Sequence, residues 1–314
     1  MGLRALWSGQ WVRAFGFVIV AGVLVCSNSS LMSGKTERTV LRRHHKRADV
    51  FRHRDATTTE DYNWSGWAVT GATGSVTDVK SSWVVPTATC TNSSDGQYAA
   101  FWLGIDGWTS DTVEQIGTDS DCVSTSGAAN TATYYAWFEF YPQDAYYIGN
   151  PENNFKGYVV SPGDVISAEV KSSTTTSGGH GFRGHGGGST SFTVTISDAK
   201  QGWSFSTSSS VPGAQQSSAE WIAEAPSGCD VKGGGGYCPL SNFGTVEYGA
   251  NYTDIASTAY ATVNGKTGAI GSFGSAAQEA IMVSYPNGTT TMAEPSGLVA
   301  SGSSFTDSWF NAGP

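Results

Sequence analysis

Every second side chain is large and apolar from Phe101 to Ile105 and again from Phe192 to Ile196. Phe101, Leu103 and Ile105 alternate with Ala100, Trp102 and Gly104, while Phe192, Val194 and Ile196 alternate with Ser191, Thr193 and Thr195. A third stretch alternates Val165, Ser167 and Glu169 with Ile166, Ala168 and Val170. An extended chain turns successive side chains to opposite faces, so each stretch reads as a half-buried antiparallel strand. Many short strands with turns marked by Gly and Pro can bury their apolar faces only by packing sheet on sheet. The expected fold is all-β, a two-sheet antiparallel β-sandwich. Composition agrees, because long helices want Leu, Glu and Lys in quantity and only 14% of residues are charged. A chain of 314 residues fits one large domain of this kind.

Two strands carry an unusual second face. In Tyr134–Tyr141, Phe138 and Phe140 share a face with Ala136, and the other face shows Tyr135, Trp137, Glu139 and Tyr141. In Tyr98–Asp106, Tyr98, Trp102 and Asp106 lie opposite the apolar triplet. A solvent face would carry Thr, Ser and Lys. Aromatics interspersed with carboxylates point instead to a concave groove that holds an extended ligand.

The N-terminal region reads as separate from this body. Arg4 and Arg13 precede an apolar run from Phe15 to Cys26, too short to span a bilayer at about 20 residues per crossing and suited to a signal-peptide core. The expected division is a signal peptide over residues 1–26, a basic propeptide over 27–54 and the β-sandwich domain over 55–314. Residues 27–54 hold eight Lys/Arg against two acids, a net of +6, whereas residues 55–314 hold seven against 24, a net of −17. The basic segment is expected to dock on the acidic body and to be released near Arg54 in acid, as carboxylates protonate. An acidic body repels nucleic acid and anionic membranes, so neither is an expected partner, and none is expected for the membrane once the signal is removed. The expected location is extracellular and the expected state a monomer. Cys90, Cys122, Cys229 and Cys238 remain after the signal. In an exported chain they read as two disulfides with three possible pairings. Cys229 and Cys238 flank the Gly233–Gly236 run and are expected to close it, which leaves Cys90 for Cys122.

Several chemistries are excluded. The histidines after residue 54 are His180 and His185, both in the Gly-rich stretch 178–188. That loop is a poor support for a Ser–His–Asp or Cys–His site, or for a metal. Bridged cysteines supply no thiolate. There is no Asp-Thr-Gly or Asp-Ser-Gly triplet for a paired-aspartate protease, and no P-loop for phosphate. What remains is carboxylate and amide chemistry, with no metal and no cofactor.

At this point the chain resembles a known family, the glutamic peptidases or eqolisins. The resemblance rests on Asn63-Trp64-Ser65-Gly66-Trp67, Ser82-Trp83-Val84-Val85-Pro86, Trp102-Leu103-Gly104-Ile105-Asp106-Gly107, Glu114-Gln115-Ile116-Gly117-Thr118-Asp119, Ala136-Trp137-Phe138-Glu139-Phe140-Tyr141-Pro142 and Ser218-Ala219-Glu220-Trp221-Ile222-Ala223-Glu224. These stand in the family's order and cover most of residues 62–250. The resemblance implies a concanavalin A-like sandwich and an acid endopeptidase acting on proteins or peptides. It implies a catalytic pair on the concave sheet, Gln115 and Glu220, with Trp64, Trp102, Asp106, Asp119, Trp137 and Glu139 lining the groove. Ile116 stands where a Thr is common in the family, and neither the 178–188 loop nor the tail beyond about residue 270 has a counterpart.

The residues themselves agree with this parity. Strand alternation puts Glu220, Ile222 and Glu224 on one face and Trp221 on the other. Glu220 as a carboxylate would deprotonate a water, and Gln115 would donate its amide N–H to the oxyanion. The main rival is a glycoside hydrolase or carbohydrate-binding module on the same sandwich. A glycosidase needs two carboxylates about 5–9 Å apart, for which Asp106, Asp119 and Glu139 are the candidates. A non-catalytic adhesion domain is the third class.

Overall fold

A computed structural model describes residues 45–91, 96–124, 129–174 and 190–313. The expected signal peptide, the two loop histidines and the Gly-rich loop itself lie outside the described residues, which all belong to one compact unit, Arg38–Pro314. In chain order the strands are Val50–His53 (β1), Thr58–Asp61 (β2), Trp64–Thr70 (β3), Val76–Val84 (β4), Ala100–Ile105 (β5) and Val113–Val123 (β6). Then come Thr131–Tyr141 (β7), Tyr146–Tyr147 (β8), Val165–Thr174 (β9), Thr190–Asp198 (β10), Trp203–Val211 (β11) and Ser218–Glu224 (β12). The chain ends with Thr245–Gly249 (β13), Tyr260–Val263 (β14), Lys266–Ala269 (β15), Ala277–Val283 (β16), Thr291–Pro295 (β17) and Ser304–Trp309 (β18).

Pairing arranges these strands in two layers. The front layer runs β1–β2–β16–β3–β12–β5–β6–β7–β8, antiparallel except for β2 beside β16. The back layer runs β11–β10–β9–β4, and β4 then pairs with both β13 and β14. The layers are one sheet folded on itself, because β13–β18–β17 leads back to β16. The register of β16 on β17 shifts between Met282 and Val283, the kind of irregularity that bends a strand from one layer to the other. The tail beyond residue 270, unplaced in the sequence reading, is therefore the seam of the sandwich.

The alternation read in the sequence sorts residues as expected. Phe101, Leu103, Ile105, Phe138 and Trp221 pack between the layers with Trp83, Ile166, Val170, Phe192, Val194, Ile196 and Phe305. Each large apolar side chain taken fully out of water contributes about 1.5–3 kcal/mol. The polar ends of the buried aromatics are paired: Trp83 Nε1 donates to Thr118 Oγ1 at 3.0 Å, Trp221 Nε1 to the Lys80 carbonyl at 3.1 Å, and Tyr248 Oη to the Ile222 carbonyl at 2.7 Å. Trp64, Trp102, Trp137 and Ile222 form a second cluster on the other side of the front layer.

Both expected disulfides are present. Cys90–Cys122 ties the chain after β4 to the end of β6, with Cα atoms 5.3 Å apart, and Cys229–Cys238 closes the Gly-rich turn at 4.9 Å. Among the described residues no helix is long and apolar enough to cross a membrane.

Candidate active site

The outer face of the front layer is a lattice of side chains fixed by strand register. One row runs Ala68–Glu220–Gly104–Gln115–Glu139 across β3, β12, β5, β6 and β7. The next runs Gly66–Ile222–Trp102–Gly117–Trp137, and a third Trp64–Glu224–Ala100–Asp119–Tyr135. Glu220 and Gln115 thus stand two strand spacings apart, about 9–10 Å between backbones, within reach of one small group held between their side chains. The strand between them contributes only Gly104. A Cβ there would lie 3.1 Å from Gln115 Cβ and 3.1 Å from Trp102 Cζ3. The glycine leaves bare backbone as the floor between the two functional groups.

Gln115 is fully buried and its amide is oriented. Nε2 donates one N–H to Glu139 Oε2 at 2.9 Å and the other to the carbonyl oxygen of His45 at 2.7 Å. Glu139, an acceptor, fixes which end of the amide carries the donors and so aims the second N–H outward. Glu220 is also fully buried, and neither of its oxygens has a hydrogen-bond partner. Burial raises its proton affinity well above the ordinary carboxylate range, and the neighbouring Asp106 and Glu114 charges add to this. Glu114, itself buried and raised by the same desolvation and by Asp106, lies on the core face of β6.

Asp106 has a different task from the one the sequence reading gave it as a groove residue. It ends β5 in a left-handed conformation, φ 72°. Its carboxylate accepts the backbone N–H groups of Gln215 (2.7 Å), Gln216 (2.7 Å) and Ser217 (2.9 Å), and the Ser217 hydroxyl at 3.1 Å. Ser217 immediately precedes β12, so Asp106 pins the chain that delivers Glu220. Trp102 donates its indole N–H to Glu224 Oε2 at 2.8 Å, and Trp64 packs edge-on against it at 4.9 Å. Asp119 accepts the Tyr135 hydroxyl at 2.8 Å. Glu224, not singled out from the sequence as a site residue, is buried and raised well above its ordinary value by desolvation and then by the Glu139 charge. The signal for it was its shared parity with Glu220.

The groove is occupied by the chain itself. The His45 ring stacks on Trp137, centroids 3.6 Å apart and planes 11° from parallel, with Nδ1 3.5 Å from Glu224 Oε2. Its backbone N–H donates to Glu139 Oε2 at 3.1 Å. Downstream, the Lys46 carbonyl accepts Trp64 Nε1 at 3.0 Å and the Arg47 carbonyl accepts Asn63 Nδ2 at 3.3 Å. The Ala48 N–H donates to the Gly107 carbonyl at 3.1 Å, and the Asp49 N–H to Asn63 Oδ1 at 3.1 Å. Lys46 and Arg47 turn their side chains to solvent. Among the described residues, 45–49 engage the groove through their backbone and the His45 imidazole, while Arg47 pairs at the surface with Asp111 at 3.6 Å. Beyond it, residues 50–53 are strand β1, and Arg52 and Arg54 both contact Glu60.

Comparison with known proteins gives the same frame. Curated proteins yield no significant match. The model of the Peptidase A4 family matches residues 62–182 and 185–292. A crystal structure of scytalido-glutamic peptidase with a transition state analog inhibitor superposes with a TM-score of 0.56 at 23% identity, covering 79% of this chain and 98% of that one. SCP-B, a member of the eqolisin family in complex with the tripeptide Ala-Ile-His, superposes at 0.52 and 23% identity over the same shares. This chain belongs to the Peptidase A4 family, the eqolisins, and is a glutamic-type peptidase that acts on proteins or peptides.

Proposed function

We propose that the protein is exported as a precursor and acts as an acid endopeptidase in which Glu220 and Gln115 perform the chemistry. The observation that carries this reading is the Gln115 N–H on a peptide carbonyl at 2.7 Å, one bare glycine strand away from a buried carboxyl with no partner. Glu220, once ionised, takes a proton from a water placed over Gly104, and that water attacks the carbonyl carbon. The Gln115 N–H already points at the oxygen on which charge develops, a preorganised donor of the kind that contributes about 3 kcal/mol. Glu220 then gives its proton to the departing amine. The burial that raises the proton affinity of Glu220 makes it a strong proton acceptor once ionised.

Trp64, Trp102 and Trp137 offer flat faces to a peptide, Trp64 also donates its indole N–H to a peptide carbonyl, and Asp106 and Glu139 hold the two catalytic groups in place. Two disulfides fit an exported protein. The test is casein digestion by the acidified protein with pepstatin and EDTA both present. Digestion that persists is expected. No digestion at any acid pH, or loss of digestion on adding EDTA alone, would refute the proposal.

A further inference from the structure

We propose that the leader lies in the groove as this enzyme's own first substrate, with His45–Lys46 as the bond to be cut. Trp137 and Glu224 then form a subsite selecting histidine on the acyl side of that bond. The inference rests on the Gln115–Glu220 reading and adds the substrate class to it.

A segment that merely plugged an acidic groove by charge would turn its cations inward. Here Lys46 and Arg47 are exposed, and the buried side chains are those of His45 and Ala48. The backbone contacts made by residues 45–49 would be available to any extended peptide and carry no side-chain information. Selection falls on the buried position whose carbonyl meets Gln115, which is His45. Its pocket has a flat wall, the Trp137 ring at 3.6 Å, and at the ring edge a carboxyl oxygen of Glu224 at 3.5 Å. Glu224 is itself held by the Trp102 indole at 2.8 Å and the Asn63 amide at 3.4 Å, so it is fixed before the ligand arrives.

A side chain both planar and able to donate N–H satisfies both features. Phenylalanine would stack but bring no N–H to the Glu224 oxygen, alanine would leave the indole face uncovered, and aspartate would offer neither a flat ring nor a donor. The expected release point near Arg54 does not share this placement, since the Arg54 N–H is bonded to the Thr58 carbonyl at the β1–β2 turn. The cleavage balances with water alone. Water oxygen bonds to the His45 carbonyl carbon as Glu220 takes its proton, the bond to the Lys46 nitrogen breaks, and that nitrogen receives the proton.

The experiment acidifies the full chain with casein and with peptides Arg-His-Xaa-Lys-Arg-Ala-Asp in which Xaa is His, Phe, Ala or Asp, and maps every cut by mass spectrometry. The expected result is a new N-terminus at Lys46 and cleavage after Xaa, with kcat/KM for His at least about tenfold above Ala and Asp and above Phe. Glu224→Gln should lower the His-to-Phe ratio; the peptide series keeps the test independent of how that variant folds. Casein cut with no new N-terminus at Lys46, or peptides cut without preference for His, would overturn this inference and leave the peptidase reading standing. Intact casein would overturn both.

Discussion

Gly104→Ala probes the floor between Gln115 and Glu220, the two groups proposed to be catalytic. The added methyl would meet the Glu114 carbonyl at 3.0 Å, Gln115 Cβ at 3.1 Å and Trp102 Cζ3 at 3.1 Å, all closer than ordinary van der Waals contact. Gly104 lies inside β5, where alanine can adopt the backbone geometry, and the less flexible unfolded chain would favour the variant by about 0.4–1 kcal/mol. Crowding costs roughly 1–3 kcal/mol, so the net loss of stability should be about 0–2.6 kcal/mol. Activity should suffer more than stability. A displacement of a few tenths of an ångström at Gln115 Cβ is magnified at the amide two bonds further out. The methyl also enters the space where water and the carbonyl must meet. Misplacements approaching 1 Å cost about a hundredfold, so kcat/KM should fall by about 10- to 100-fold. Hydrolysis of a quenched peptide in acid, beside a thermal melt of the same sample, separates the two effects. A kcat/KM within twofold of the parent would refute the claim that bare backbone at this position is part of the site.

The molecule should be most stable in acid. Burial raises Asp61 to about 7 and Asp307 to about 8, so both keep protons in the folded state that the unfolded chain releases from about pH 4 upward. Stability is thus fully present below pH 4 and falls as pH rises to 7–8, by about 1.4 kcal/mol per pH unit for each group. Thermal melts from pH 4 to pH 8 should show this decline, and Asp307→Asn should flatten it. Asp106→Asn replaces an acceptor of four hydrogen bonds, and chemical denaturation should show a loss of about 2–4 kcal/mol. Its kcat should fall too, but less than on removing Glu220, because Asp106 acts by holding the approach to β12.

The front layer was legible because its two faces differ so sharply. Phe101, Leu103 and Ile105 against Trp102, or Phe138 against Trp137 and Glu139, can be sorted by period 2 alone. The strand β11 was not, since Ser204 to Ser210 offers mostly small polar residues; it is held by its neighbour β10 and by Trp203 and Val211 at its ends. The tail was equally opaque: β16 bridges the layers through partners more than 200 residues earlier, and a single sequence shows no such pairing. Gln115 and Glu220 were reached through their motifs, and register then placed them in one row. His45 belongs to no motif: it lies in a basic stretch without hydrophobic periodicity, and nothing in that stretch marks one imidazole for burial against Trp137. The contacts of residues 45–49 were not legible either, since most are backbone hydrogen bonds, which leave no trace in composition.

The most direct test of the central claim is the turnover of Glu220→Gln on a quenched peptide in acid. The substitution keeps the size of a side chain that makes no hydrogen bond and removes only its ability to take a proton. The account predicts a melt close to that of the parent, since the side chain keeps its size and no hydrogen bond is lost. It predicts turnover lower by at least about a hundredfold, the scale of lost general-base help. Full peptidase activity in a folded Glu220→Gln protein would contradict it.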